Sequence, residues 1–435
     1  MKKTLLYCLA IGLWSCSTGT TDQTNSALPM DELAERYVKT VLQLGQYNSD
    51  VVDAYYGPEE WKPTTTPLDT LPAYALLNEL SAIQQELAKQ DTAGLNEMDK
   101  RRILMLQKQV LATATKIELM DGRKLSFDEE AKLLYDAQPP HQQQAYYDSL
   151  LQEIDSMLPG KGTVADRWAN YRAKFEIPKS KLDTVFQAAI QEARKRTLAH
   201  YKLPKNENFK VEFVTDKPWS GYNYYKGNGY SLIQINTDFP IYMERAIDLA
   251  CHEGYPGHHV FNALLEQELV NKRGWKEFSV YPLFSPQSLI AEGSANYGIE
   301  VAFPEQERIQ FEKEVLFPLA GLNAAEADRY YTLLEKIGKL NFAGNEAARM
   351  YLDGKISREQ AADWIVKYNF YEKDKALQRT QFIDRYRSYV INYNLGQQLV
   401  RQHIEMHGGT ADNPEKRWEL FGELLSKPNT ASTLK

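Results

Sequence analysis

A mainly α-helical fold with one small β element follows from two features of the sequence. From Met30 onward apolar residues recur at three- and four-residue intervals, as in "LAERYVKTVLQL", "ALLNELSAIQQEL" and "RRILMLQKQVLATATKIELM", the spacing that keeps one helix face apolar. Only "FKVEFV" (209–214) and "YSLIQINT" (230–237) alternate with the period of two that a half-buried strand requires. The Tyr/Gly-rich turn "WSGYNYYKGNGY" between them predicts an antiparallel pair. With 435 residues, 43% of them hydrophobic, the chain can bury a large core.

The N-terminus differs in texture. Lys2 and Lys3, the apolar "TLLYCLAIGLW", and then Ser15–Cys16 form a run too short to span a bilayer permanently. A small residue before cysteine at the end of such a run resembles the bacterial lipoprotein processing site. Residues 1–15 then read as a signal peptide, Cys16 as the lipidated first residue, and 16–29 as a flexible tether. The expected location is the cell envelope, anchored by lipid on the periplasmic or surface side.

Residues 30–163 read as an N-terminal helical region, broken at "YYGPEEWKPTTTP" (55–67), "DGRK" (121–124), "QPPHQQQ" (138–144) and "LPGKGT" (158–163). Residues 164–435 open with the long helical pattern "KSKLDTVFQAAIQEARKRTLAHY" and pass through the two strands. Helical periodicity then returns from "IYMERAIDLACHEG" almost to the end, with stops at "FSPQS", "HGG" and "KPNT". The two regions are expected to pack as one unit. No internal repeat is visible.

Charge and cysteine content exclude several classes. Taking the leader's two lysines from a net charge of −7 leaves −9, and no long Lys/Arg cluster exists, so a nucleic-acid partner is excluded. Of the three cysteines, Cys8 lies in the leader and Cys16 is the lipidation site, so Cys251 alone remains and no internal disulfide forms.

Chemistry concentrates in "ACHEGYPGHHVF" (250–261), which holds three of the seven histidines. In HExxH helices two imidazoles four residues apart chelate zinc, and the Glu between them is the base that acts on water. Here His258 is six residues after His252, about 120° around an ideal helix. His259 points the right way but lies ~10 Å along the axis, too far for two ~2 Å bonds to one ion. Pro256 has no N–H for the carbonyl of His252 and its ring clashes with that carbonyl, so the helix must break. With Gly257 free to take unusual dihedrals, a bulge there brings His258 onto the face of His252. His252 and His258 are the expected ligand pair, with His259 the alternative to His258 and Glu253 the base.

The third ligand is expected from a following helix. "SPQSLIAEGSANYGIEV" offers Glu292, beside small residues Gly293, Ser294 and Ala295 that permit close helix packing; Glu300 is the alternative acid. A partner for the ring of the first ligand could be Asp248 or Asn296. Cys251 points away from His252 on a helix and has no assigned role. His403 and His407 read as a pair at a helix C-terminus closed by Gly408–Gly409.

Together "HEGYPGHH", "INT" on a strand before it and Glu292, Gly293 and Tyr297 after it resemble the bacterial family catalogued as domain of unknown function 885. That family's motifs are written HExxPGHH and EGWA-x-Y, and it is similar to the helical zinc carboxypeptidases. The resemblance spans roughly Tyr55 to Leu434 and implies a large helical zincin-like metallopeptidase fold. It matches His252, His258 and Glu292 to metal ligands, Glu253 to the base and Asn236 to the polar residue closing the strand. "RYRSYVINYNLG" matches an RY…Y-x-x-G element through Arg385, Tyr386, Tyr393 and Gly396, which makes Tyr393 and Arg385 candidates to stabilise an oxyanion. Ser294 stands where the family has Trp, Ile299 where an acid is common, and the intervening Pro-Gly of the last element is missing.

The expected activity is therefore zinc-dependent hydrolysis of peptide bonds at one ion, carboxypeptidase-like in kind. A substrate peptide could pair with an exposed edge of the strand 230–237, with Asn236 and Tyr230 lining the cleft. The alternative is a non-catalytic helical binding protein that keeps a structural or vestigial metal site. Glu253 favours hydrolysis, because a structural site needs no carboxylate between its ligands.

Overall fold

The computed structural model describes residues 27–217 and 219–434; the leader, Cys16 with its lipidation, and the tether up to residue 26 lie outside the described residues. Helices run through both regions. Met30–Gly45, Ala73–Ala88, Glu97–Met120, Phe127–Tyr135 and Gln144–Met157 fill the first, and all four expected breaks fall between helices. The apolar stripe explains why: Met30–Gly45 buries Leu33, Tyr37, Val41 and Leu44, one side of the helix. Local chemistry sets the starts. Ser126 accepts from the Glu129 backbone N–H while Glu129 reaches back to Ser126, a capping box that opens Phe127–Tyr135.

The strands correct the sequence reading in two ways. Five exist among the described residues: β1 (Val52–Tyr55), β2 (Asn208–Val214), β3 (Gly221–Tyr225), β4 (Tyr230–Asn236) and β5 (Val280–Pro282). β2 and β4, expected to be an antiparallel pair, run parallel, and β3 lies antiparallel on the other side of β4, giving the order β2-β4-β3. The Tyr/Gly-rich segment read as a turn is thus itself a strand, and the chain crosses over before it returns. A second consequence is that β4 is the central strand. Both its edges are occupied, so it cannot offer an edge to a substrate. β1 and β5 form a separate antiparallel pair that ties residue 52 to residue 282.

Two apolar cores hold the helices, and each draws on both halves of the sequence. One gathers Met105 and Tyr147 with Phe186, Ile233, Tyr297, Tyr330 and Phe421. The other gathers Leu33, Tyr37 and Val110 with Phe284, Leu289, Ala347 and Ile391. Arg102 adds a buried polar tie, its Nε 2.6 Å from Glu277 Oε1. No helix among the described residues is long and apolar enough to cross a membrane.

A close helix crossing positions the site. Helix Pro286–Ala302 packs on helix Ile391–Met406 with Gly293 against Gly396, so tightly that a Cβ on Gly293 would stand 2.3 Å from the Gly396 carbonyl carbon. Only glycine fits there.

Candidate metal centre

Helix Met243–Leu249 does not continue as an α-helix through the histidines. The backbone widens to a π-turn over Ala250–Gly254, with the Tyr255 N–H donating to the Ala250 carbonyl at 3.0 Å and the Gly257 N–H to the Cys251 carbonyl at 2.8 Å. The Tyr255–Pro256 peptide is cis. A new helix, His258–Leu265, then starts. Gly257 is required at the joint, because a Cβ there would lie 2.0 Å from the His252 carbonyl oxygen. The expected break is present between Glu253 and His258.

The break brings the two imidazoles together. His252 Nε2 and His258 Nε2 are 3.2 Å apart, and Glu292 Oε2 lies 3.4 Å from the first and 3.6 Å from the second. Among the described residues these three form the one His/Cys/Asp/Glu group close enough to hold an ion. A tetrahedral ion with ~2.05 Å bonds separates its ligand atoms by roughly 3.3 Å, which these edges match. Two further observations fit a cation. Glu292 Oε2 is buried with no hydrogen-bond partner, and two imidazole nitrogens converge on the space in front of it.

Surrounding groups orient the ligands. The Asn296 amide nitrogen donates to the Tyr393 carbonyl at 2.8 Å, so its oxygen, 3.0 Å from His252 Nδ1, must accept from that nitrogen. His252 therefore carries its proton on Nδ1 and turns the Nε2 lone pair toward Glu292. Of the two expected partners, Asp248 instead pairs with Arg308 at 2.9 Å and Arg245 at 3.2 Å. The Tyr389 hydroxyl donates to Glu292 Oε1 at 2.7 Å and leaves Oε2 facing the imidazoles.

Electrostatics reinforce the picture. Burial disfavours charge on His258, yet Glu292, with Glu253 and Asp53, raises its pKa to about 9. Burial works the other way on Glu292, but His258 and His252 hold it well below the usual carboxylate range. Glu253 is buried beside the triad, against Gly221 of β3, and Asn223 of the same strand donates to its backbone carbonyl at 2.6 Å. Burial raises the Glu253 carboxyl above the usual carboxylate value, with His252 and His258 pulling against it.

The remaining candidates separate clearly. His259 points elsewhere, to Ser231 Oγ at 2.9 Å and Glu207 Oε2 at 3.2 Å in a fully buried network. Glu300 pairs with Arg401 and Gln397. Tyr393 packs its ring 5.7 Å from that of Tyr389, its hydroxyl is unpaired by any described side chain, and burial together with Glu292 raises its pKa well above the usual phenol value. Arg385 does not face the site: it is bound through two nitrogens at 2.7 Å to Asp50, and its side chain is 56% exposed. Asn236 is spent on backbone, donating to the Lys217 carbonyl of the β2–β3 connection at 2.9 Å and accepting from the Asp238 N–H at 3.0 Å. Tyr230 starts β4, at the opposite end of that strand from Ile235 and Gly221, and is solvent-exposed. Cys251 is buried and burial pushes its thiol up. His407 Nδ1 approaches the His403 carbonyl at 2.7 Å and His403 Nδ1 the Leu434 carbonyl at 3.2 Å, as helix-end residues do.

Asp53 is an addition that sequence reading missed. It arrives on β1, accepts from the Tyr222 hydroxyl, and its carboxyl is pushed up to about 6 by burial, with His258, Glu292 and Glu253 near enough to act on it.

Comparison with known proteins adds to the fold. No family model matches the chain, so the resemblance in the motifs has no such support, and no curated protein matches either. Among solved structures, a candidate lipoprotein from Colwellia psychrerythraea is similar over 82% of this chain, with 15% identity and a TM-score of 0.52; the chain spans 65% of that protein's length. Metallocarboxypeptidase 1 of Trypanosoma cruzi aligns over 91% of this chain and 90% of its own, with 12% identity and a TM-score of 0.45. A candidate lipoprotein of unknown function from Shewanella oneidensis aligns over 81% and 72%, with 12% identity and a TM-score of 0.39. The first of these supports the mainly helical fold.

Proposed function

We propose that the chain is a zinc-dependent hydrolase of peptide bonds. The observation that carries this reading is the convergence of His252, His258 and Glu292 on one point, with the buried carboxylate Glu253 beside them. Two neutral imidazoles and one carboxylate are the donor set of catalytic rather than structural zinc. When bound, the ion would act as a Lewis acid and lower the pKa of water towards ~7.

In this reading Glu253 takes the proton from the attacking water and returns it to the leaving amine. Tyr393, a protonated phenol with a free hydroxyl, donates to the oxyanion. Asn296 and Tyr389 hold His252 and Glu292 in register. Since β4 is paired on both sides, the edge offered to an extended substrate is the outer edge of β3, which carries Asn223 next to Glu253. Arg385 has no part in the reaction. Export and lipid anchoring at Cys16 complete the proposal, supported by the leader pattern and by the likeness to candidate lipoproteins.

The test joins metal analysis of purified protein to hydrolysis of a broad peptide library by wild type and Glu253→Gln. One zinc per chain in both, with hydrolysis in wild type alone, is expected. Metal retained by both proteins with neither cleaving any peptide would sink the hydrolase reading.

A further inference from the structure

Helix Lys373–Tyr386 ends in a turn that suits glycine better than any residue with a side chain. Arg387 combines φ 52° with ψ −122°, the first central position of a type II′ turn, where glycine is the usual occupant. Asp136 and Phe370 also have positive φ, but each ends its helix in the ordinary left-handed region, with ψ of 20° and 33°. The backbone of Arg387 is therefore strained, and such a conformation persists only where its surroundings hold it.

Those surroundings converge on one carboxylate. Glu130, on helix Phe127–Tyr135, is 1% exposed. Its Oε2 accepts from Arg387 Nε at 2.5 Å, and its Oε1 accepts from the Ser388 backbone N–H at 3.1 Å and the Ser388 hydroxyl at 2.7 Å. Both oxygens are thus spent on the two residues of the turn. The next residue is Tyr389, whose hydroxyl donates to Glu292 Oε1 at 2.7 Å. Tyr135, on the same helix as Glu130, packs edge-on against the Tyr389 ring with centroids 6.2 Å apart. Helix Phe127–Tyr135 therefore grips the chain on both sides of the point where it turns toward the metal centre.

We propose that Glu130 is a positioning residue for the metal centre: by clamping the strained turn at Arg387–Ser388 it fixes the Tyr389 hydroxyl on Glu292 and so keeps Glu292 Oε2 facing His252 and His258. This rests on the reading of those three residues as a zinc site. It also gives the strain a role, since a turn relaxed to an ordinary backbone conformation carries Tyr389 away from Glu292. Glu130 itself touches neither ligand nor substrate.

The test uses the full chain and three measurements: zinc affinity by chelator competition, amide hydrogen exchange of the zinc-free protein, and thermal unfolding. Glu130→Gln keeps an acceptor for Ser388 but loses the charge that holds Arg387. Its zinc affinity should fall roughly tenfold, as for other groups that orient a ligand, and the amides of residues 388–393 should exchange faster even without metal. Adding Arg387→Gly to this variant should restore both, because glycine makes the turn without a clamp. Glu277→Gln, in the equally buried pair with Arg102, should lower the unfolding temperature and leave zinc affinity unchanged, which separates positioning from general loss of stability. Wild-type zinc affinity in Glu130→Gln, a loss that Arg387→Gly does not recover, or an equal loss in Glu277→Gln overturns the proposal. A wild-type chain that binds no zinc sinks the zinc reading instead. The clamp is then decided by the exchange of the zinc-free protein, and unchanged exchange in Glu130→Gln overturns it.

Discussion

Replacing Gly293 by alanine puts a methyl group where helix Pro286–Ala302 crosses helix Ile391–Met406. The new Cβ would stand 2.3 Å from the Gly396 carbonyl carbon, and ordinary contact begins at 3.4 Å, so the helices must part by 3.4 − 2.3 = 1.1 Å. That movement acts on neighbours that span the crossing. The Tyr389 hydroxyl is 2.7 Å from Glu292, and the Asn296 amide 2.8 Å from the Tyr393 carbonyl; adding about an ångström takes both beyond useful hydrogen-bond range. Overpacking costs ~1–3 kcal/mol, against which the better helix propensity of alanine returns ~1 kcal/mol. Loss of the groups that orient Glu292 and His252 should weaken metal binding by roughly ten- to a hundredfold. Chelator competition measures the affinity and thermal unfolding the stability. Ser294→Ala, buried on the same helix, is the control and should change both little. Wild-type affinity and stability in Gly293→Ala would show that the crossing does not set the ligand geometry.

Three further predictions follow from other parts of the structure. Asn296→Leu removes the acceptor of His252 Nδ1, and metal affinity measured by chelator competition should fall roughly ten- to a hundredfold with the fold retained. Arg385→Gln breaks an exposed pair with Asp50; stability should change by less than about 1 kcal/mol and peptide hydrolysis not at all. Lys116 is buried over Phe284, and burial lowers its pKa to about 8, below the ~10.4 of an unfolded chain. The unfolded state thus binds the extra proton between these values, so stability rises with pH across that window and the penalty is fully present below pH 8. Lys116→Met should stabilise the protein at pH 7, and the difference between the two denaturation curves should shrink as pH climbs from about 8 to 10.

The histidine motif was legible because its chemistry is local. Pro256 and Gly257 forbid a straight helix, and a bulge there favours His258; His259 stays the alternative until the structure turns it to Ser231 and Glu207. Glu292 was legible from the small residues beside it, which announce a close crossing. What escaped reading depends on contacts remote in sequence. β3 looks like a turn because "GYNYY" is short and flanked by glycines, and its pairing with β4 is decided by tertiary packing. Arg385 matched a pattern, but Asp50, 335 residues away, claims it. Tyr389 lies between two residues of the quoted "RYRSYVINYNLG" element, and nothing in its spacing marks it as the partner of Glu292. Asp53 sits just before a stretch read as a break, and only the pairing of β1 with β5 carries it to the centre.

That pairing has a consequence for the order of folding. The centre takes Asp53 from near one end of the described chain, its imidazoles from the middle, and Tyr389 and Tyr393 from near the other end. No short fragment contains it, and such long-range closures form late because their loop entropy must be met first. A chain still emerging, or cut short before the last two tyrosines, carries every histidine of the motif and yet lacks the assembled centre. The proposed metal centre is thus complete only when the protein's own folding is nearly finished.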